Sequence, residues 1–477
     1  MTRVLEGLKP EKVFYYFEEI SKIPRCSGKE KLISDYLYNL AKEKGWEVIQ
    51  DSYLNIIIKK PASKGYENAP TVMLQGHMDM VCEKNEGVDH DFDKDPIKLR
   101  IVDDYIYATD TTLGADNGIA VAYALAVLDS DLEHPSLEVL ITTDEEKGMT
   151  GAEKVDGSLF KSKYLLNLDS EEEGVFTAGC AGGCSSNFKI PVEYTKEKSK
   201  AYRLSVKGLS GGHSGIDIDK EKANANKILG RILYDLIDIV ELAKIDGGSK
   251  TNAIPREANA IITVDDYNKV KEKISKWNNI LKNEYSFTDP SITIELEDLH
   301  NETQTLEKEI FKKVVSLINL IPVGVLSRST AIDLVISSNN LGVITTDEKF
   351  ITFYNHSRSS VETLLTEDLM PSMKQLSEIL EIEYEIESYY PGWEYAKESK
   401  IRTICIETYR ELYKKEPKVA AIHAGLECGL LMGKIPGLDA ISMGPDAFDA
   451  HSPNEHVSIS SVANVYNLLC EILKKIK

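Results

Sequence analysis

Two histidines and five carboxylates stand in short motifs that are spread over the whole chain. His77 and Asp79 lie two residues apart in "GHMDMV". Because successive side chains of a strand point to opposite faces, this spacing puts both on the same face. Imidazole nitrogens and carboxylate oxygens are ligands that suit Zn²⁺, Co²⁺ or Mn²⁺. The other members are Asp116 in "LGADNG", Glu145 and Glu146 in "TTDEEKG", Asp169 in "LNLDS" and His451 in "FDAHSPNEHV".

Two metal ions would need about six protein ligands, with one carboxylate shared between them. The motifs supply such a set if Asp116 is the shared one, and Glu145 is then free to act as a general base. Each residue also has an ordinary explanation: Asp116 is a good helix N-cap, and Asp169 could end its strand in a turn. These explanations are weaker for the set than for any one member. The metal ligands would be His77, Asp116, Glu146, Asp169 and His451.

The elements around these motifs alternate between strand and helix. Residues 27–45 predict an amphipathic helix that Ser27 and Glu30 begin as a capping box. Strands are predicted at about 46–60, 71–77, 136–146 and 163–170, and an apolar helix at 117–130. This alternation predicts an α/β domain with a mixed, mostly parallel central sheet flanked by helices. Ligands of such sheets bind beyond the carboxyl ends of the strands, where the acidic residues lie.

The order of predicted helices and strands changes after "GCAGGCSS" at 179–186. A strand, a glycine-rich turn and a helix through about residue 244 lead to a strand within 251–264, and a comparable unit recurs near 308–365. We predict a discontinuous catalytic domain, 1–186 and 392–477, and an inserted α+β lid domain, 187–391, with two strand–helix–strand units. The α/β pattern of the first domain resumes with predicted helices at 402–416, 424–434 and 459–476 and a predicted strand at 438–444.

Composition narrows the classes of partner and the compartment. The chain of 477 residues carries a formal net charge of −21, which disfavours nucleic acid and anionic membranes as partners. It has no apolar run of membrane-spanning length, and acidic residues stand where a signal peptide would have its apolar core. Seven irregularly spaced cysteines argue against a disulfide scaffold and favour a reducing compartment. We therefore expect a cytoplasmic protein.

Together with "GLSGGHSG", these motifs resemble the co-catalytic zinc peptidases of the M20 family. The resemblance runs over essentially the entire chain and is closest to the aminoacyl-histidine dipeptidase branch. It implies that His77 and Asp169 hold one metal, that Glu146 and His451 hold the other, and that Asp116 bridges them. The peptide bond after Asp116 is often cis in the family.

The resemblance also implies a mechanism. Two Zn²⁺ ions, or Co²⁺ or Mn²⁺, would lower the pKa of a shared water, and Glu145 would take its proton. Asp79 would orient His77 and raise its basicity, which explains their spacing. His213 in "GGHSG" would bind the oxyanion, and its place in the lid predicts that the enzyme closes to work. Without the family match, His213 would be an idle turn histidine.

Three further residues are candidates for substrate binding. Arg358 in "NHSRSS" is suited to the C-terminal carboxylate of a dipeptide, and Asn252 in "TNAIP" resembles a family asparagine near the carboxylate or oxyanion. Glu427 in "HAGLECG" could bind the substrate amine. Each also has a plain structural interpretation: a surface arginine, a turn residue before a proline, and an acid that stabilises a helix dipole.

We therefore predict a dizinc metallopeptidase that hydrolyses unblocked dipeptides, with Xaa-His favoured by the branch resemblance. The alternative with the same metals is an N-acyl amino acid amidohydrolase, and a more distant one is a metal-dependent binding protein without activity. The expected partner is a small peptide, with neither nucleic acid nor membrane. Both a monomer and a homodimer are compatible with the sequence.

Overall fold

The computed structural model describes residues 3–330 and 334–477. The chain divides into two compact units. The first holds the chain up to Gly179 together with Tyr395–Ala421 and Leu426–Lys477, and the second holds Cys180–Glu394 and Ile422–Gly425. The short return at Ile422–Gly425 was not indicated by the sequence pattern. Within the described ranges, no helix is long and apolar enough to cross a membrane.

Helices and strands are interspersed up to residue 180. In chain order they are α1 (Glu11–Ile20), α2 (Lys31–Glu43), β1 (Glu47–Gln50), β2 (Ile56–Lys60), β3 (Val72–His77), β4 (Leu99–Val102), β5 (Tyr105–Ala108), α3 (Ala115–Leu128), β6 (Leu137–Thr142), α4 (Glu145–Gly148), α5 (Thr150–Lys154), β7 (Tyr164–Asn167) and β8 (Val175–Cys180).

The next stretch is dominated by long strands. It contains β9 (Gly182–Pro191), β10 (Tyr194–Lys207), β11 (Gly212–His213), α6 (Ala225–Leu236), β12 (Val240–Gly247), β13 (Ala253–Ile254), β14 (Ala258–Val264), α7 (Tyr267–Glu284), β15 (Thr293–Leu306), α8 (Lys308–Leu320), β16 (Gly324–Arg328), β17 (Val335–Thr346), β18 (Phe350–Ser359), α9 (Met370–Leu380) and β19 (Glu383–Tyr390). The last elements are α10 (Lys400–Tyr413), β20 (Lys418–Ile422), α11 (Glu427–Lys434), β21 (Asp439–Ser442), β22 (Ala447–Phe448), β23 (His456–Ser458) and α12 (Ile459–Lys475).

The first unit is built on an eight-stranded sheet with the strand order β1-β2-β6-β3-β7-β21-β8-β20. Its centre is parallel, because β3 pairs with β6 and β7, and β7 pairs with β21, in the same direction. All residues of β3 and β6 are buried, as expected of strands covered on both faces. The predicted mixed, mostly parallel sheet is thus confirmed, and the carboxyl ends of β3, β6 and β7 lie side by side.

The second unit is built on a nine-stranded sheet whose order is β15-β10-β14-β12-β17-β18-β9-β19, with β16 paired to β17. Its strand pairs are antiparallel. Four helices lie between strands of this unit: α6 between β11 and β12, α7 between β14 and β15, α8 between β15 and β16, and α9 between β18 and β19. The expected second unit near 308–365 includes residues 331–333, which lie outside the described residues.

Two local predictions are wrong. The capping box at Ser27 and Glu30 does not form: α2 begins at Lys31 without a side-chain cap, and the Ser27 hydroxyl donates to Asp79 instead. The helix predicted through about residue 244 ends at Leu236, and β12 begins at Val240. Exposed and buried positions largely alternate in β12, which pairs with β14. This segment is therefore a strand because it pairs with β14 in the sheet, and not because of its local sequence.

The cysteine pattern predicts reduced thiols, but Cys26 and Cys82 form a disulfide. The bond joins the segment before α2 to the segment after β3. Cys26 also forms an isolated β-bridge with Met80, so the two segments are paired by backbone as well as by sulfur.

Candidate metal centre

The carboxylate of Asp116 lies between two histidines. Its Oδ1 is 3.1 Å from Nε2 of His77, and its Oδ2 is 3.2 Å from Nε2 of His451. A second carboxylate accompanies each histidine: Oδ1 of Asp169 is 3.4 Å from Nε2 of His77, and Oε2 of Glu146 is 2.9 Å from Nε2 of His451. The five side chains therefore form two halves that share Asp116.

Carboxylates outnumber imidazoles in this cluster, and the pKa values of Asp116, Asp169 and His451 are shifted from their ordinary values. Burial alone would raise the pKa of Asp116, but hydrogen bonds with His451 and His77 bring it below its ordinary value. Burial, with the charges of Asp116 and Glu146, raises the pKa of Asp169 to about 6 against the opposing effect of His77. Hydrogen bonds to Asp116 and Glu146 raise the pKa of His451 to about 11. The cluster thus sets three carboxylates against two imidazoles, and the buried Arg25 guanidinium also interacts with the charges of Asp116 and Glu146.

The donor set fits divalent cations. It consists of imidazole nitrogen and carboxylate oxygen atoms, which is the chemistry of catalytic Zn²⁺ sites. Oε1 of Glu146 is buried, and among the described residues it has no hydrogen-bond partner, so this oxygen remains available to an ion. Ligand atoms of His77, Asp116 and Glu146 all lie within 4.8 Å of one another.

The sheet places most of these side chains at the ends of adjacent parallel strands. His77 is the last residue of β3, and Asp169 follows β7 by two residues. Glu145 and Glu146 open α4, which begins directly after Asp144 in the left-handed region at φ 57°. His451, also left-handed at φ 63°, lies in the connection between β22 and β23. The peptide bond that follows Asp116 is cis, as the resemblance implies.

Asp79 connects several parts of the site. Nδ1 of His77, on the side of the ring that faces away from Asp116, is 3.2 Å from the Asp79 backbone carbonyl and 3.4 Å from Oδ1 of the same residue. Asp79 is fully buried and accepts hydrogen bonds from the Ser27 hydroxyl at 2.7 Å and from the backbone N–H groups of Glu145 and Glu146 at 3.2 and 3.4 Å. Although burial would raise the pKa of this carboxyl, the hydrogen bonds lower it. One carboxylate thereby orients both a histidine and the start of α4.

Glu145 is in a strongly acidic environment. Burial and the neighbouring carboxylates of Asp169, Glu427 and Asp116 raise its pKa well above the ordinary value, and His77 opposes them. Such an environment suits a group that takes up a proton and later gives it away.

Glu427 is the first residue of α11 and is fully buried. Its Oε2 accepts hydrogen bonds from the Thr142 hydroxyl at 2.7 Å and from the side-chain amide of Gln75. Burial raises its pKa to about 8. Oε1 has no partner among the described residues. The carboxyl is therefore anchored on β3 and β6 through one oxygen, while the other remains available.

His213 and Asn252 lie on neighbouring segments of the second unit. His213 of β11 pairs with Ala253 of β13, and the Ser214 N–H donates to the Asn252 carbonyl at 2.9 Å. Nδ1 of His213 accepts the backbone N–H groups of Gly215 and Ile216 at 3.2 and 3.1 Å. Because Nδ1 accepts, the ring proton of neutral His213 resides on Nε2, which leaves Nε2–H as a donor.

Arg358 is nearly buried in the same unit, and no ion pair joins it to a carboxylate of the described residues. Its Nη1 donates to the Tyr390 hydroxyl at 3.1 Å. His356 contacts Ser185 and His423 contacts Ser338, and burial together with the nearby Arg358 charge lowers both histidine pKa values to about 3. A cation among neutral imidazoles suits an anionic ligand.

Two buried charged residues of the site were missed by sequence reasoning. Arg25 donates through Nη1 to the Met78 carbonyl at 3.1 Å and through Nη2 to the Gly114 carbonyl. Glu455 accepts backbone N–H groups at the start of α3. Neither residue belongs to a spacing pattern. The only signal was that Glu455 lies in the same motif as His451.

Comparison with known proteins agrees with this arrangement. Residues 73–475 match the model of the peptidase family M20/M25/M40. The chain is 40% identical over 481 residues to the cytosol non-specific dipeptidase of Escherichia coli (strain K12), with 99% of each covered. It is 36% identical to the aminoacylhistidine dipeptidase from Vibrio alginolyticus, whose crystal structure matches with a TM-score of 0.91 over 99% of this chain and 98% of that one. The aminopeptidase PepT from Bacillus cereus, at 16% identity and a TM-score of 0.57, shares the fold.

Proposed function

Because the chain belongs to the peptidase family M20/M25/M40, we propose that it is a metal-dependent dipeptidase acting on unblocked dipeptides, with Xaa-His preferred. The observation that carries this proposal is the position of Asp116, each of whose oxygens faces one histidine, while each histidine also faces one further carboxylate of the cluster. The names of the two full-length relatives support the substrate class.

We propose that the centre takes two Zn²⁺ ions, for which Co²⁺ and Mn²⁺ are substitutes. His77 and Asp169 would hold one ion, Glu146 and His451 the other, and Asp116 both. When bound, the ions polarise the scissile carbonyl and make water acidic enough to react at neutral pH. Two dications would also offset the carboxylate charges that, together with burial, raise the pKa of Asp169.

Glu145 is proposed as the general base. Its carboxylate would accept a proton from the attacking water and transfer it to the amine that leaves. Carboxylates at Asp169, Glu427 and Asp116 favour its protonated form, and His77 opposes them. Asp79 would keep His77 oriented by accepting at Nδ1, which fixes Nε2 as the ligand atom.

The second unit would supply groups that bind substrate. We propose that His213 donates Nε2–H to the developing oxyanion, that Asn252 assists, and that Arg358 binds the substrate carboxylate. The two backbone N–H groups on Nδ1 of His213 and the nearly buried guanidinium of Arg358 support these roles. Glu427 would bind the substrate amine through its unpartnered Oε1.

A cytoplasmic location is proposed because the relative from Escherichia coli is named a cytosol dipeptidase. The partner is a small peptide. Whether the protein is a monomer or a homodimer stays a prediction of the sequence.

The test is a substrate panel with protein loaded with Zn²⁺, Co²⁺ or Mn²⁺. Xaa-His dipeptides, other dipeptides, a tripeptide and N-acetyl amino acids would be compared at one enzyme concentration. We expect hydrolysis of free-amine dipeptides, fastest with Xaa-His, and its loss on treatment with a chelator. Hydrolysis of the acetylated compounds alone would establish an amidohydrolase and overturn the proposal.

A further inference from the structure

The carboxylate of Glu455 accepts hydrogen bonds from four consecutive backbone N–H groups. Oε2 accepts from Leu113 at 2.7 Å and Gly114 at 2.9 Å, and Oε1 accepts from Ala115 at 2.7 Å and Asp116 at 3.3 Å. Glu455 is only 2% exposed. A buried carboxylate that is satisfied entirely by backbone donors fixes the path of that backbone.

The four donors belong to the turn that opens α3. The first N–H groups of a helix have no partner within the helix, and the helix dipole favours a negative charge beside them. Glu455 meets both needs from 339 residues further along the chain. Because Asp116 provides one of the four donors, the carboxylate also fixes the residue that lies between His77 and His451.

Glu455 and His451 lie in the same connection, between β22 and β23. Side chains at paired positions stack across the base of that hairpin: the His456 ring is 5.1 Å from Phe448 and 4.6 Å from Tyr107, both stacked. The connection is therefore held at its base by the aromatic stack and near its end by Glu455.

Arg25 holds the opposite side of the same turn. Its Nη2 donates to the Gly114 carbonyl and its Nη1 to the Met78 carbonyl, one residue beyond β3. Gly114, at φ 69°, has no room for a side chain, because a Cβ would lie 2.4 Å from Nη2 of Arg25. The turn before Asp116 is thus held between an anion on its N–H groups and a cation on its carbonyl.

We propose that Glu455 is a positioning residue that sets the distance between His451 and Asp116 and thereby the metal affinity of the half formed by His451 and Glu146. This inference rests on the proposed function for the presence of metal. Residues that orient metal ligands contribute about 10- to 100-fold to metal affinity. Glu455 reaches the ligands through the backbone and has no contact with the reacting groups in this role.

The experiment compares Glu455→Gln with Glu138→Gln. Glu138 is a matched control, since it is 4% exposed and accepts hydrogen bonds from the Lys161 and Ser162 N–H groups and the Ser162 hydroxyl, away from the metal ligands. Metal-free proteins would be titrated with Co²⁺, and binding would be followed by absorption, with stoichiometry from elemental analysis. Thermal unfolding of the metal-free proteins would be measured in parallel.

We expect both substitutions to lower the unfolding temperature of the metal-free protein. Only Glu455→Gln should weaken one Co²⁺ equivalent, by about 10- to 100-fold, and change the Co²⁺ spectrum. A folded Glu455→Gln protein that binds both equivalents as wild type does would overturn the inference. A wild-type protein that binds no Co²⁺ would overturn the proposed function and this inference with it.

A measurement on the wild-type protein covers the case in which Glu455→Gln does not fold. Amide hydrogen exchange should be slow at residues 113–116 both with and without metal, because Glu455 rather than the ion holds these N–H groups. Fast exchange at these residues in the metal-free protein would overturn the inference.

Discussion

Oδ1 of Asp79 accepts the backbone N–H of Glu145 at 3.2 Å, although 66 residues separate the two in the chain. The contact joins the end of β3 to the start of α4. Since both the backbone carbonyl and the carboxylate of Asp79 face Nδ1 of His77, the candidate metal ligand and the candidate base are oriented by one buried residue.

Replacing Asp79 with asparagine should therefore weaken metal binding, in addition to any loss of folding stability. The Asp79→Asn side chain retains one acceptor but lacks the charge that favours His77 as a ligand. We expect the affinity for one metal equivalent to fall about 10- to 100-fold in a Zn²⁺ competition titration. Asp35→Asn, which removes a surface ion pair with Lys31, is the control and should bind Zn²⁺ as wild type does. Equal affinities in the two variants would argue against an orienting role.

The Glu145→Gln substitution should separate turnover from binding. Glutamine is nearly isosteric but cannot accept the proton, so kcat should fall about 10²- to 10⁴-fold with little change in KM or metal content. Steady-state kinetics on a dipeptide with elemental analysis would measure this. Glu153→Gln on α5, where the native acid pairs with Lys154, should leave kcat unchanged. A Glu145→Gln enzyme with normal turnover would remove Glu145 as the base.

The Glu427→Gln substitution distinguishes the two enzyme classes that share these metals. If Oε1 binds a free amine, KM for dipeptides should rise about tenfold or more when it is measured above pH 8, where Glu427 is ionised, because a charged hydrogen bond is lost. Activity toward N-acetylated substrates, which lack the amine, should not change. A similar KM increase for both substrate types would show that Glu427 acts through Gln75 and Thr142 instead.

Stability should decrease on acidification because of buried histidines in the second unit. Burial, with Arg358 nearby, lowers the pKa of His423 to about 3, whereas an unfolded histidine titrates near its ordinary value of 6.5. The unfolded state therefore binds more protons between those values, and stability is lost as pH falls from 6.5 toward 3. Burial is the largest cause of the lowered pKa of His423, the charge of Arg358 adds to it, a hydrogen bond with the Val335 backbone opposes it, and His213 lowers it by the smallest amount.

The contribution of one such histidine is about 1.4 kcal/mol per pH unit below 6.5. Thermal unfolding at pH 6.5 and pH 5.0 should show a smaller pH effect in His423→Gln than in wild type. His300, whose side chain is 85% exposed, provides the control, and His300→Gln should keep the wild-type pH dependence. An unchanged slope in His423→Gln would contradict the assignment.

Reduction of the Cys26–Cys82 disulfide should destabilise the first unit. The bond joins residues 56 positions apart, for which the chain-entropy model gives about 4 kcal/mol. The unfolding temperature should fall with reducing agent and equally in Cys82→Ser. Cys470→Ser, which removes a thiol outside this bond, should respond to reductant as wild type does. Wild-type protein that unfolds at the same temperature with and without reductant would show that the bond adds nothing.

The sequence predicted the positions of site residues best where a histidine or an acidic residue stands at the end of a predicted strand. His77 and Asp169 could be placed together because parallel strands expose their carboxyl ends at one edge of the sheet. The alternation rule also put Asp79 beside His77, although β3 stops at His77. Motif resemblance then assigned Asp116 between the histidines, which no spacing rule provides.

Contacts between distant segments were beyond sequence reasoning. Ser27 looked like a helix cap because its local pattern fits one, yet its hydroxyl donates to Asp79, 52 residues away. Glu455 belongs to no spacing pattern, and the structure buries it against backbone N–H groups. Both depend on tertiary neighbours that local propensity does not encode.

The return of Ile422–Gly425 to the second unit means that the chain passes between the units four times, at 179–180, 394–395, 421–422 and 425–426. A protease that cuts any one of these crossings leaves two fragments that both contribute to the first unit, where β7 and β21 stay paired. Nicked protein would therefore elute as intact protein does, and only a denaturing gel would reveal the cut.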